Sequence, residues 1–410
     1  MSLQIHFFGI VLLFAGICYL GNRDIRKGRC NEILLMAANF LFLVSLLDLF
    51  TLYFYILMTG GVWICAKIMI YLHARRSGAR FFLRLLIFGF VLLLATTKYQ
   101  VLIDYRNNLI ELIPFQLKYD INDINHMIGF SYFTFRSIQL ILLCYWGEEA
   151  RADMLRVFQY LFFFPSFLLG PITRYEDFQA GPATSTLSPR ELYDIVWRIV
   201  LGLFKKLVIA DNLLAISITY VNVLDIGEVS PLALIAGINF CAWSLYMDFS
   251  GYTDLAIGLG RLCGYRVPEN FNAPFFQGNI TNFWKNWHMS LTSWLNEFLY
   301  LPITNAFRRR NPGRQLWVAI FTTVPLFCII GLWHGDGLNW LVLGFYHGVL
   351  VSGHKLYSVI LRSKILHWKK YRSYRFLSWL VTYNLVLLSF PLFAYPWDAV
   401  LKIYGRLFGF

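Results

Sequence analysis

Three histidines lie among apolar and aromatic residues, where an ionisable side chain is costly and is therefore a candidate for function. They are His288, His334 and His347. An imidazole can accept the proton of a hydroxyl near neutral pH, and transfer of an acyl group to an alcohol requires this step. The alternative for each histidine is a packed, hydrogen-bonded structural role.

The surroundings of the three histidines differ. His334 ends an apolar run in the segment GLWHGDG, at 331–337, where glycines on both sides allow a tight turn and close approach of another chain or a substrate. His288 lies in FWKNWHMS, at 283–290, and Trp and His are common at membrane interfaces without any chemical role. The pattern favours a structural role for His347. His334 is therefore the strongest candidate.

Two carboxylates, Asp248 and Asp254, form a polar patch inside an otherwise apolar stretch. Charged groups in such stretches usually face the interior of a helix bundle or a cavity. They could orient a histidine, line a polar passage or belong to a structural hydrogen-bond network. The seven cysteines show no CxxC pair, and we predict no metal site. Phosphate loops, HExxH and Ser-centred hydrolase motifs are absent from the sequence.

Composition shows where these residues must be held. The chain has 410 residues, of which 58% are hydrophobic and 14% charged, whereas a soluble domain carries about 25% charged residues. We therefore predict one membrane-embedded domain, 1–410, of the all-α polytopic class. The net charge of +13 is explained by basic cytoplasmic loops, with attraction of an acidic partner or anionic lipid as a second use. Because the basic residues lie in short loops, nucleic-acid binding is disfavoured.

Apolar runs recur along the whole chain and predict about 11 transmembrane helices. The basic loops place the N-terminus outside, and the turn at His334 then lies towards the external half of the membrane. Residues 99–127 are predicted as an external interfacial segment, and 268–305 as short amphipathic or re-entrant helices. The candidate spans are 3–20, 33–49, 50–72, 82–98, 128–146, 153–170, 192–222, 231–260, 315–333, 337–360 and 376–396.

Five segments in this order resemble the membrane-bound O-acyltransferase family, in its bacterial branch. They are GFSYFTFRSIQ, FFFPSFLLGPITRYEDF, YMDFSGYTDLAIGLGRLCGY followed by PENFNAPF, FWKNWHMSLTSWL and GLWHG. Members pair a histidine at the end of an apolar helix with an upstream Asn or His, and His334 and His288 match those positions. The resemblance implies helices ringed around a central funnel, where donor and acceptor meet from opposite sides.

Within the branch, chain length and two segments look more like the D-alanyl-lipoteichoic acid acyltransferases than like the alginate-type O-acetyltransferases. That resemblance implies a D-alanyl donor carried as a thioester on the phosphopantetheine arm of a cytosolic acyl carrier protein. It implies a cell-envelope polymer, or a small membrane relay protein, as acceptor. No cofactor is expected on this chain itself. The expected location is the bacterial cytoplasmic membrane, as a multi-pass protein.

The resemblance assigns roles to individual residues. His334 is expected to accept the proton of the acceptor hydroxyl. His288 and Asn286 are expected to line the donor entrance or position the thioester, and Asp248 to line the same passage. The remaining expected substrate contacts are Trp287, Ser290 and Trp333. A transporter or flippase is the competing class, although no inverted repeat is evident, and a non-catalytic scaffold is a third alternative.

Overall fold

Long apolar stretches form the principal helices of this protein, which we describe from a computed structural model. The structure describes residues 16, 28–99, 102–103, 128–149, 151–179, 187–220 and 226–409, and every element assigned among them is helical. The α-helices are α1 Gly28–Leu46, α2 Leu49–Ala74, α3 Ala79–Ala95, α4 Phe130–Trp146, α5 Met154–Leu161, α6 Tyr175–Gln179, α7 Pro189–Leu203, α8 Asp211–Ala215, α9 Pro231–Leu262, α10 Ile280–Asn286, α11 Met289–Leu295, α12 Leu301–Arg310, α13 Gln315–His334, α14 Leu338–Ile360, α15 Arg362–Trp368, α16 Arg372–Leu387, α17 Phe390–Ala394 and α18 Trp397–Phe408.

Five shorter helical segments complete the set of elements in the described part of the chain. Two are π-helices, Phe204–Ala210 and Asn296–Tyr300, and three are 3₁₀ turns at Phe164–Ser166, Ile218–Tyr220 and Pro274–Phe276. Four described helical stretches are long and apolar enough to cross a membrane: Leu49–Ala74, Pro231–Leu262, Gln315–His334 and Arg372–Ala394. The predicted all-α class is confirmed over the described residues, and the count of about 11 spans stays a prediction.

The chain divides into two compact units. The first unit comprises Met1–Gly202 and Tyr252–Pro268, and the second comprises Leu203–Gly251 and Glu269–Phe410. The single membrane domain over 1–410 stays a prediction, because a division of the chain by packing does not test it.

The first unit has an aromatic core with a buried arginine beside it. The guanidinium of Arg136 donates to the carbonyls of Tyr160 and Leu161 at 3.2 Å and to that of Ser166 at 2.8 Å. Two of these carbonyls end α5 and the third ends the turn at Phe164–Ser166, where Pro165 cannot donate a backbone hydrogen bond, so the helix is broken between the two elements. The prediction of one continuous span over 153–170 is therefore wrong. Arg136 is fully buried and therefore does not face lipid.

In the second unit, α13 and α14 pack with their backbones almost in contact. A Cβ on Gly344 would lie 2.3 Å from the carbonyl oxygen of Phe327, and one on Gly348 would lie 2.9 Å from Cα of Val324. A Cβ on Gly331 would lie 2.1 Å from the carbonyl oxygen of Trp340. Small residues four apart permit this approach between membrane helices. The contact fixes the end of α13, where His334 lies.

The remaining helix predictions are mostly confirmed. Helices α1 to α4, α9, α13, α14 and α16 with α17 coincide with predicted spans to within a few residues. The run 192–222 divides into α7, a π-helix and α8, and 268–305 forms short helices as predicted. The predicted first span at 3–20, apart from residue 16, and nearly all of the interfacial segment at 99–127 lie outside the described residues.

Candidate active site

His288 is held in an unusual backbone conformation between two short helices of the second unit. It lies between α10 and α11 and caps the N-terminus of α11, with φ 47° and ψ 53°. This left-handed region is unfavourable for a residue with a Cβ, and non-glycine residues held there are concentrated at functional sites. The surrounding hydrogen bonds must therefore stabilise the conformation.

Those hydrogen bonds converge on Asn270, which is fully buried. Its Oδ1 accepts from the backbone N–H of Ser290 at 3.0 Å and from the hydroxyl of Ser290 at 2.9 Å. Its backbone carbonyl accepts from the N–H of Met289 at 2.9 Å. Nδ1 of His288 lies 3.2 Å from the same Oδ1. Because that oxygen only accepts, the imidazole carries its proton on Nδ1, and Nε2 is the basic nitrogen.

Asn270 was not among the residues that we predicted for the site. It lies in the segment PENFNAPF, 18 residues before His288, and the sequence shows no periodic or charged pattern that would connect the two. Sequence reasoning could have identified Asn270 as a polar residue within an aromatic-rich, non-helical stretch beside a candidate histidine.

Burial also sets the charge of His288. Removal from solvent, together with a smaller electrostatic effect of His334, lowers the pKa of its imidazole from the ordinary value of 6.5 to about 3. His288 is therefore uncharged at neutral pH.

His334, the last residue of α13, lies among aromatic rings. Its imidazole stacks on Trp340 with centroids 5.3 Å apart and meets the edges of Trp333 at 4.5 Å and Phe393 at 6.1 Å. A Cβ on Gly335 would lie 2.4 Å from Nε1 of Trp340. The backbone of Gly335 is extended, so this glycine is required by the indole rather than by a special turn. His334 itself is exposed, in contrast to His288.

Both histidines line one cavity of about 130 Å³ in the second unit. The other walls are apolar and aromatic, with Phe249 packed edge-on against the His288 ring at 4.8 Å. The lining contains no Asp or Glu: it comprises Leu245, Phe249, Phe283, Trp284, Trp287, His288, Leu291, Phe327, Ile330, Gly331, His334, Leu343, Gly344, His347, Val386, Ser389, Phe390 and Phe393. The structure thus brings together the two histidines that the sequence predicted to act.

His347 faces the same cavity, but both of its nitrogens are occupied. The indole of Trp284 donates to Nδ1 at 3.2 Å, and Nε2 lies 3.0 Å from Oγ of Ser389. That hydroxyl donates its own proton to the carbonyl of Val386 at 2.6 Å. Nε2–H must therefore be the donor to Ser389, and His347 is a neutral linker between α10, α14 and the segment before α17. These bonds support the structural role that we predicted for it.

The predicted substrate contacts separate into two groups. Trp287 lines the histidine cavity, whereas Asn286, Ser290, Asp248 and Trp333 are not among its lining residues. The amide of Asn286 caps its own helix by donating to Asn282. Ser290 donates hydrogen bonds to Asn270, as described above, and the Trp333 ring contacts His334. Direct substrate contact by these residues stays a prediction.

Each of the two candidate carboxylates has a cationic partner. Within the second unit, Asp248 forms an ion pair with Lys206. Within the first unit, Oδ1 of Asp254 accepts from Nε of Arg198 at 3.0 Å. Both arrangements support the hydrogen-bond network that we considered as one alternative. Among the described residues, no group of three His, Cys, Asp or Glu side chains is placed to hold a metal ion.

A second cavity of about 560 Å³ adjoins the first and shares the side chains of Trp284, Phe327 and Ile330 with it. Two cationic side chains, Lys285 and Lys355, line this donor-side cavity, as we name it. The ammonium of Lys355 donates to Oγ1 of Thr323 at 2.7 Å and to the hydroxyl of Tyr300 at 3.2 Å. These partners are neutral, so the positive charge of Lys355 is not cancelled by them.

Comparison with known proteins gives a family match across most of the chain. The model described as "MBOAT, membrane-bound O-acyltransferase family" matches residues 49–391. That range contains every lining residue of both cavities except Phe393.

Individual relatives include three kinds of transferase. A "Probable alginate O-acetylase" of Pseudomonas aeruginosa is 31% identical over 69% of this chain and 52% of its own length. A peptidoglycan O-acetyltransferase of Helicobacter pylori is 32% identical over 60% of this chain and 45% of its own. A teichoic acid D-alanyltransferase of Bacillus subtilis is 28% identical over 56% of this chain and 59% of its own. The chain spans about half the length of the curated relatives it matches.

Proposed function

Because the chain belongs to the membrane-bound O-acyltransferase family, we propose that it transfers a short acyl group from an activated donor to a hydroxyl of a cell-envelope polymer. The family match confirms the resemblance seen in the sequence. One observation carries the proposal: His288 and His334 line a single small cavity. Placing two reactants beside one base supplies much of the rate of a transfer reaction through proximity.

His334 is the proposed general base. It is exposed on the cavity, so an acceptor hydroxyl can reach it. As the acceptor oxygen attacks the acyl carbon, the imidazole takes the hydroxyl proton; the bond from the acyl carbon to the donor breaks, and the proton passes to the departing group. His288 remains uncharged and presents Nε2, while Asn270 fixes its orientation. The proposed role of His288 is to position the acyl group.

Cavity size and chemistry favour a short, neutral acyl group. A cavity of about 150 Å³ holds a ring the size of benzene, so about 130 Å³ suits acetyl and excludes a long fatty chain. The lining has no carboxylate to pair with an ammonium. The relatives above 30% identity are named as O-acetyltransferases. We therefore propose acetyl as the leading acyl group. The sequence analysis preferred D-alanyl, but the comparisons do not favour it over acetyl.

D-alanyl transfer is the second candidate. Aromatic rings attract cations through their faces, and seven of the cavity-lining residues are Phe or Trp: Phe249, Phe283, Trp284, Trp287, Phe327, Phe390 and Phe393. A D-alanyl ammonium could rest against them. The teichoic acid D-alanyltransferase relative supports this alternative.

The donor-side cavity is the proposed route for the activated donor. Its charge at Lys285 and Lys355 complements a phosphate, so a thioester on a phosphopantetheine arm fits the site. We propose that an acyl carrier protein or a related soluble donor presents this arm at a bacterial cytoplasmic membrane. The acceptor is a polymer hydroxyl or a small membrane relay protein.

Replacement of the proposed base tests the function directly. Purified full-length protein should transfer acetyl from an acetyl thioester to a soluble envelope oligosaccharide, and His334→Ala should reduce kcat/KM by about a hundredfold or more. His367→Ala removes an exposed histidine of α15 and serves as the control. Near-normal transfer by the His334 variant would overturn the assignment, and faster use of a D-alanyl thioester would select the second candidate.

The donor route has its own test. Lys355→Met should raise the KM for a phosphate-bearing acyl thioester about tenfold, because a charge-assisted contact is lost, and should leave the KM for a phosphate-free thioester unchanged. Lys364→Met removes an equal charge elsewhere and is the control. Equal effects on both donors would show that Lys355 acts on structure rather than on the donor phosphate.

A further inference from the structure

A large apolar groove lies along α12 and α13 and shares the side chains of Tyr300 and Leu326 with the donor-side cavity. It has a volume of about 970 Å³. On α13 the lining residues recur three and four positions apart from Arg314 to Ile329, so they form one face of the helix. Residues of the preceding π-helix and α12, including Ile303 and Phe307, form the opposite wall.

The groove exposes large apolar side chains. Phe321 is 70% exposed, Trp317 is 52% exposed, and Phe307 and Ile329 are each 50% exposed. The segment from Arg314 to Ile329 spans about 22 Å at helical rise, which exceeds the roughly 15 Å depth of one leaflet's hydrocarbon. A single acyl chain can therefore lie within the length of the groove.

One end of the groove is strongly basic. Arg314 and Asn311 line it, and Arg308, Arg309 and Arg310 end the adjoining helix α12. From 298 to 335 the sequence contains no Asp or Glu, so no acidic residue in this segment compensates the four arginines. A guanidinium binds phosphate oxygens strongly and with defined geometry.

We propose that this groove binds one anionic phospholipid. An acyl chain lies against Trp317, Phe321 and Ile329, and the phosphate contacts Arg314 and Asn311 at the basic end. The charge at one end and the length of the apolar wall together select a lipid over a soluble phosphate compound. The bound lipid would brace α13, the helix that carries His334 at its other end.

Native mass spectrometry of the full-length protein tests the site with phosphatidylglycerol and phosphatidylcholine as probes. Wild type should retain phosphatidylglycerol in preference, and Arg314→Gln should reduce retention about fivefold through loss of a charge-assisted contact. Arg372→Gln, an equal charge change at an exposed residue of α16, should retain the lipid like wild type. Equal retention of the two lipids, or equal effects of the two variants, would overturn the proposal.

A second pair of variants tests the apolar wall. Ile303→Trp should fill the groove and abolish phosphatidylglycerol adducts, whereas Ile360→Trp, at a residue 67% exposed outside the groove, should not. Phosphatidylglycerol should also raise the Tm of wild type but not that of Arg314→Gln, because a ligand stabilises the state that binds it. A protein dimer that Ile303→Trp dissociates, without lipid adducts in wild type, would show that a second copy occupies the groove instead.

Discussion

At the scale of single residues, the site depends on which nitrogen of each histidine carries the proton. Asn270 places the proton of His288 on Nδ1, whereas Trp284 and Ser389 place that of His347 on Nε2. Both nitrogens of His347 are therefore engaged in hydrogen bonds, whereas Nε2 is the unprotonated nitrogen of His288. These two histidines of one cavity thus differ in chemistry because of hydrogen-bond partners that are distant along the chain.

Asn270 is predicted to act as a positioning residue. Asn270→Ala removes the acceptor of three hydrogen bonds and should reduce kcat by about tenfold to a hundredfold, because the misplacement of a reactive group is costly. It should also destabilise the fold by roughly 1–3 kcal/mol, as expected for unpaired buried donors. Thermal unfolding and transfer kinetics measure the two effects.

Asn270→Asp separates positioning from simple loss of stability. The carboxylate accepts the same hydrogen bonds but favours the imidazolium, so it should raise the pKa of His288 above its low value. Wild-type His288 stays neutral between pH 5 and 8, whereas the variant should lose activity at the acid end of that range and regain it as pH rises. An unchanged pH profile would contradict a role for uncharged His288.

At the scale of elements, glycines decide how closely α13 and α14 approach. Gly331, Gly344 and Gly348 each leave room for a backbone atom of the facing helix. The approach places His334 at the end of α13 beside Trp340 near the start of α14. A wider separation would move the proposed base relative to His288.

Two glycines of α14 offer a matched test of this packing. Gly344→Ala should lower stability by about 1–3 kcal/mol and reduce transfer, because its Cβ cannot fit against the Phe327 carbonyl. Gly353→Ala, on the same helix with nothing within 4 Å of the new Cβ, should be neutral or slightly stabilising. Tm and kcat/KM of both variants measure these effects, and similar losses in the two would contradict a specific role for the contact at Gly344.

At the scale of the whole molecule, the proposed chemistry needs no energy source besides the acyl donor. Transfer by purified protein in detergent, where no membrane gradient exists, should therefore proceed at a rate within about twofold of that in sealed vesicles carrying an imposed gradient. A membrane transporter would lose its activity in detergent. Strict dependence of product formation on the gradient would favour a membrane transporter over the proposed acyltransferase.

The sequence by itself determined the membrane class, the family and the two histidines most suited to chemistry. These features are recorded locally, in long apolar runs and in short segments such as GLWHG and FWKNWHMSL. Periodicity also predicted the short helices between 268 and 305 and the end of α13 at His334. Helices form from contacts within a few residues, so local sequence is sufficient to predict them.

Only the tertiary structure decided which candidates share a cavity and what each can do there. It joined His288 to Asn270, occupied both nitrogens of His347, and paired Asp248 with Lys206. It also showed that Gly335 accommodates an indole. Hydrogen bonds and close packing join residues that are distant along the chain, and the types of those residues do not say which pairs will meet.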